Sequence, residues 1–193
     1  HVDVAHNYFK LGNVERELCN FQKAKEHLEC ALDIQLKKLG PEHLEVVHTY
    51  HNLGMVHREL NNLGQAKKYH RQALAIRLKN LEPEHVDLAS SYHHLGNVQF
   101  VFNNMQQAKE LYELALDIQL KNLEPDHTFV AFSYQSLGDV HRERGDLELA
   151  KEYYTRALNI RLKQFGPQHD YVRRIQNQLR NVQLAIDDLQ HGT

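Results

Sequence analysis

No stretch of this 193-residue chain approaches the ~18 consecutive apolar residues that a membrane-spanning helix needs, and no charged-then-apolar opening resembles a signal peptide. Strong charge is missing too. With 23 basic and 25 acidic residues the formal net charge is −2, which removes any global pull toward nucleic acid or anionic lipid. Cysteine is scarce: Cys19 and Cys30 follow no repeating spacing and outline no disulfide framework, so reduced thiols in a cytoplasmic setting are expected. The lack of an Asn-x-Ser/Thr sequon agrees with that setting. There is no Gly-rich phosphate loop, no nucleophile elbow and no His-Glu-x-x-His helix, and the chain reads as non-enzymatic. It opens on His1 rather than Met, partway through a repeating unit, and reads as a segment of a longer protein.

What is present is repetition. Leu-Gly stands at Leu11-Gly12, Leu53-Gly54, Leu95-Gly96 and Leu137-Gly138, each pair about 42 residues after the last. All four prolines, Pro41, Pro83, Pro125 and Pro167, share one phase, in Gly-Pro-Glu-His, Glu-Pro-Glu-His, Glu-Pro-Asp-His and Gly-Pro-Gln-His. Proline loses only an orphan donor in a first helical turn, so each is expected to open a helix. In the second unit this helix A runs to Leu60 with Val47, Tyr50, Leu53, Gly54 and Val56 at helical spacing. Asn61-Asn62-Leu63-Gly64, Asn103-Asn104 and Arg144-Gly145-Asp146 supply the interrupting turns. A helix B follows, carrying Ala66, His70, Ala73, Leu74, Ile76 and Leu78.

The small residues have a packing purpose. Glycine inside a helix costs about 1 kcal/mol relative to alanine, so Gly12, Gly54, Gly96 and Gly138 mark places where two helices nearly touch. Their helix B counterparts are small as well: Ala24, Ala66, Ala108 and Ala150, then Ala31, Ala73, Ala115 and Ala157. Tyr8, Tyr50, Tyr92 and Tyr134 lie one turn before the glycines, on the same face. This constellation, with Leu28, His70, Tyr112 or Tyr154 between the two alanines, resembles the tetratricopeptide repeat over nearly the whole chain. The long unit, the prolonged helix B holding Leu36, Leu78, Leu120 and Leu162, and the Gly-Pro-Glu-His linker are similar to the repeats of kinesin light chains and nephrocystin-3-like proteins. The phase three residues after each glycine departs from the family's frequent aromatic, being Glu15, His57, Gln99 and His141.

The expected fold is therefore all-α: a right-handed superhelical solenoid of four antiparallel helix pairs plus a C-terminal capping helix, forming a single domain over 1–193. Repeats fall at about 1–38, 39–80, 81–122 and 123–164, and the cap at about 168–189. The cap keeps Leu179 and Val182 in phase but has Arg180 in place of the glycine.

The resemblance implies a ligand groove on the helix A face turned away from helix B. That face takes Phe9, Lys10, Asn13 and Arg16 with His6; His48, His51, Asn52, Met55 and Arg58; His93, His94 and Asn97 with Ser90; then Phe132, Gln135, Asp139 and Arg142 with Ser136. Asn and Gln amides both donate to and accept from an extended peptide backbone, and Arg forks suit carboxylates. The bland alternative is a solvated face. In the third unit Phe100-Val101 replaces the Arg-Glu pairs at 16–17, 58–59 and 142–143, which is read as an apolar pocket that Phe132 and Met55 extend, or else as repacking against a neighbouring helix. The 15 histidines supply no tetrahedral set: His48 with His51, and His93 with His94, lack further ligands, and His1, His43, His85, His127 and His169 share the phase after the prolines. No metal and no cofactor is expected. Groove-phase histidines gaining charge near pH 6 would favour acidic ligands.

The chain thus reads as a non-catalytic module binding a peptide or protein partner, with neither nucleic acid nor membrane as partner, since the groove alternates Arg with Glu. The alternative is a structural, regulatory or oligomerising array within a larger receptor or scaffold, with end-on self-association through an N-terminal face bearing Val4 and Leu18.

Overall fold

The structure, a computed structural model, describes residues 2–191, and His1 lies outside them. Among the described residues there are nine α-helices and no strand: α1 (Val2–Glu17), α2 (Phe21–Leu39), α3 (Leu44–Glu59), α4 (Leu63–Asn80), α5 (Val86–Val101), α6 (Met105–Asn122), α7 (Thr128–Glu143), α8 (Leu147–Phe165) and α9 (Asp170–His191). Odd-numbered helices up to α7 are the A helices, even-numbered ones the B helices, and α9 is the cap. Within pairs α1 packs on α2, α3 on α4 and α7 on α8; successive pairs join through α2 on α3, α6 on α7 and α8 on α9.

The prolines do not open the A helices. α3 begins at Leu44, past Pro41, and its N-cap is His43. Nδ1 of His43, His85, His127 and His169 accepts the backbone N–H two residues on, at 3.2, 3.2, 3.1 and 3.2 Å. A ring nitrogen here takes the place of the usual Ser or Asp oxygen and satisfies one of the four orphan donors of a helix start. The histidine phase is thus a capping device, with proline setting the turn before it. Between A and B helices one residue per repeat turns left-handed: Cys19, Asn61, Asn103 and Gly145, at φ 60°, 58°, 60° and 82°. Asparagine and glycine tolerate that region; cysteine gains nothing there.

Small residues let the paired helices approach. A Cβ on Gly12, Gly54 or Gly138 would lie 2.6, 2.6 or 2.7 Å from Leu28, His70 or Tyr154, so no larger residue fits without displacement. The eight alanines of the B helices that recur in the repeat phases are buried. Two compact units result, His1–Val98 and Gln99–Thr193, the boundary falling inside α5. The first is centred on Ala24, Leu28, Val46, Leu53, Val56 and Ala73. The second is built on Ala108, Tyr112, Leu137 and Val140, with α9 inserting Ile175, Val182 and Ile186 against Ala150, Tyr154 and Ala157. Leu78 and Leu120, placed by the sequence within the apolar run of helix B, are exposed.

A polar contact ties each B helix to the next A helix. Thr49 Oγ1 donates to Gln35 Oε1 at 2.6 Å, Arg77 Nη1 donates to Ser91 Oγ at 2.7 Å, and Ser133 Oγ donates to Gln119 Oε1 at 2.8 Å. All six residues are buried, where an unmatched polar group costs ~1–3 kcal/mol, so each pair fixes the register of its junction. At the fourth junction the same phases hold Arg161 and Ile175, and the acceptor is gone.

Candidate interaction face

The A-helix faces carry the sequence-derived candidates, and each unit brings a subset together. In the first unit Asn52 Nδ2 donates to Asn13 Oδ1 at 2.8 Å, bridging α3 and α1. Phe9 leans on the core and, with His6, Gln35 and His48, lines a cleft of about 380 Å³. Lys10 and His48 are exposed, and Met55 and Asn97 are half-buried. Arg16 and Arg58 point toward the glutamate beside them, at 3.9 Å from Glu17 and 2.6 Å from Glu59.

His51, His93 and His94 depart from the expected role of charge-gaining groove residues. The His51 and His94 rings meet edge to face at 4.2 Å, and His70 of the B helix lies 5.6 Å from the first and 5.4 Å from the second. Burial is the leading cause that holds His51 and His93 down to about 4, His70 to about 3, and His94 well below its ordinary value; neighbouring rings and arginines push the same way. These rings are neutral at pH 6, so they cannot strengthen binding of acidic ligands there. Among the described residues, no three His, Cys, Asp or Glu side chains are placed to hold a metal ion.

In the second unit the bridge recurs: Gln178 Nε2 donates to Asp139 Oδ1 at 2.8 Å, the same repeat phases as Asn52 and Asn13. Asp139 also accepts from the Tyr154 hydroxyl at 2.6 Å, and Gln135 Nε2 donates to Gln178 Oε1 at 2.8 Å. Burial raises the Asp139 pKa, while the Tyr154 hydrogen bond works against that. Arg142 pairs with Glu143 at 2.6 Å. Phe100 is half-buried and packs against the cluster of Ala108, Tyr112, Leu137 and Val140, whereas Val101 is exposed. The Phe132 ring lies 4.0 Å from the Arg161 guanidinium carbon.

Sequence reasoning missed several contributors. His57 and His141, in the phase where an aromatic was expected, are buried and stack on Tyr69 and Tyr153 at 5.3 and 5.4 Å. His141 also reaches Asp146 at 3.1 Å, and Gln99, in the same phase, accepts from Asn104 at 3.2 Å; both partners are the N-caps of the following B helices. Arg161 went unnoticed, although the loss of Ser or Thr at Ile175 was visible in the repeat alignment.

Paired helices repeated in one register, small residues at the closest approaches and amides bridging α1 to α3 and α7 to α9 define a helical repeat protein of the solenoid class. The tetratricopeptide repeat family profile matches residues 3–79, 63–121 and 87–163, and the chain belongs to that family. Its repeats are generally protein–protein interaction modules, and its members are typically non-enzymatic. Among solved structures, a Podospora anserina protein assigned as a kinesin light chain, with nearly identical TPR-like repeats, is 25% identical, with 98% of this chain and 90% of that chain covered at a TM-score of 0.80. BtubC (BKLC) from P. vanneervenii is 24% identical over 88% of this chain and 68% of its own, TM-score 0.77. The apo form of RapI shares the fold at 16% identity, covering 95% and 64%, TM-score 0.82. No curated protein sequence matches. No helix among the described residues is long and apolar enough to cross a membrane.

Proposed function

We propose that the A-helix faces bind an extended segment of a partner protein in the cytoplasm. The observation that carries this reading is the amide bridge repeated in both units, Asn52 to Asn13 and Gln178 to Asp139. Each bridge uses one N–H of its donor amide, and an amide carbonyl such as that of Asn52 can accept from a peptide N–H. Arg16, Arg58 and Arg142, each beside its own glutamate, keep the face mixed in sign, which supports a peptide over nucleic acid. Cys19 and Cys30 are free and exposed, in keeping with a reducing compartment. Peptide display tests the reading with two surface variants, Asn52→Ala/Arg58→Ala and Gln135→Ala/Arg142→Ala. Peptides enriched on the wild type are expected to bind at least one variant tenfold more weakly; equal enrichment on all three proteins would defeat the proposal.

A second reading rests on a different feature. Leu11 and Val14 of α1, and Leu18 just after it, are exposed, and Leu11 and Val14 stand in the phases of Leu53 and Val56, which are fully buried in the next repeat. That apolar stripe supports end-on association. Sedimentation of the wild type should then show a dimer that Leu11→Glu returns to monomer, and a monomeric wild type at 100-micromolar order would remove it.

A further inference from the structure

Arg161 is fully buried, and none of its three guanidinium nitrogens has a hydrogen-bond partner. Buried polar groups are almost always matched, so an unmatched cation asks for an acceptor from outside the chain. The cause is local. The repeat supplies a Thr or Ser hydroxyl at this junction three times, and at the fourth it supplies Ile175. In place of a hydrogen bond, Phe132 lies 4.0 Å and Tyr171 4.6 Å from the guanidinium carbon, the two rings meeting edge to face at 6.2 Å. Both rings are themselves exposed on their outer sides.

The electrostatics point the same way. Burial is the main influence on the Arg161 guanidinium and lowers its pKa; the Tyr171 hydroxyl opposes this, and a second cation, Arg174, adds to it. Arg174 is exposed, in the groove phase of His48. In the first unit the equivalent phases, His6, Gln35, Glu45 and His48, border the open cleft of about 380 Å³.

We propose that Arg161, roofed by Phe132 and Tyr171 and flanked by Arg174, is a carboxylate-binding site of the second unit, filled when a partner segment presents an acidic group beside an apolar side chain. A planar guanidinium fork packed against two aromatic rings suits a flat two-oxygen carboxylate. The guest parts the two rings, stacks its apolar portion on them and gives the guanidinium the acceptor that Ile175 withholds. The inference deepens the peptide-binding reading and rests on it only for the source of the carboxylate.

Phenylacetate titrated into ¹⁵N-labelled protein tests the site directly. The Arg161 Nε–Hε signal should move and saturate, with 2-phenylacetamide, which lacks the charge, giving no such shift. Arg161→Gln, the residue the chain itself uses at Gln35 and Gln119, should weaken phenylacetate at least tenfold. Ile175→Thr restores the internal hydroxyl in the phase of Thr49 while keeping the cation, and should weaken binding about fivefold. Acetyl-Gly-Phe with a free C-terminus and acetyl-Phe-Glu-amide separate a terminal from a side-chain carboxylate, and binding of either supports the site. An unmoved Arg161 signal, equal binding by phenylacetamide, or affinity indifferent to Arg161→Gln would overturn it. Phenylacetate binding with no peptide enriched in display would instead sink the peptide reading and leave the carboxylate site standing.

Discussion

His70 stands where the chain elsewhere places Leu28, Tyr112 and Tyr154, and its ring packs against those of His51 and His94. A Cβ at Gly54 would lie 2.6 Å from that ring, so the ring would have to shift within the histidine cluster. Gly54→Ala is therefore expected to destabilise the protein by ~1–3 kcal/mol through overpacking, against the ~1 kcal/mol alanine gains in helix propensity. Gly64, near the start of α4, has nothing within 4 Å of its Cβ position. Gly64→Ala should stabilise by up to ~1 kcal/mol, and urea midpoints of the two variants moving in opposite directions would check both. The close approach was legible in the sequence because only packing explains glycine in a helix interior. The identity of the ring it touches was legible too, one phase on, but the three-histidine cluster was not, since it joins residues of three helices whose rotamers no periodicity reveals.

At the scale of the element, the contact between a B helix and the next A helix depends on matched polar pairs. Ser91→Ala removes the acceptor of a buried arginine, Arg77, whose pKa burial already lowers and nearby Asp87 raises. Stability should fall by ~1–3 kcal/mol, and the double variant Arg77→Leu/Ser91→Ala should recover part of the loss because no charge is left unmatched. If denaturation midpoints of Ser91→Ala and wild type coincide, the junction does not depend on this bond. Helix count, order and turn positions were readable because Leu-Gly, Ala and the asparagine turns recur in fixed phase. The helix starts were misread by a few residues: proline dominates a sequence reading, whereas the cap is made by a histidine nitrogen whose role depends on ring geometry. Phe100 was legible as an oddity, but not its direction, which follows from the space beside Ala108 and Val140.

For the molecule as a whole, the buried histidines make stability depend on pH. Unfolded, each titrates near 6.5 and binds a proton below that; folded, His51 and His93 stay neutral until about 4, His70 until about 3, and His94 resists protonation as well. The unfolded state therefore holds more protons between pH 6.5 and 4, and stability falls as pH drops through that window. By pH 5 His51, His70 and His93 each remove ~2 kcal/mol and His94 adds in the same direction, so the urea midpoint should drop sharply between pH 7 and 5. His70→Tyr, which restores the side chain found at the same phase in Tyr112 and Tyr154, should flatten the dependence. A midpoint independent of pH over that range would contradict the neutral buried cluster.

The matched pairs at the junctions also bear on how such a chain changes over generations. Gln35, Arg77 and Gln119 each meet a hydroxyl offered by the following repeat, and glutamine and arginine both accept that arrangement. A whole repeat can therefore be duplicated, deleted or exchanged by recombination and still find its complement at either join. Ile175 ends that interchangeability: a repeat inserted ahead of α9 meets a helix that offers no hydroxyl to its B helix at this junction.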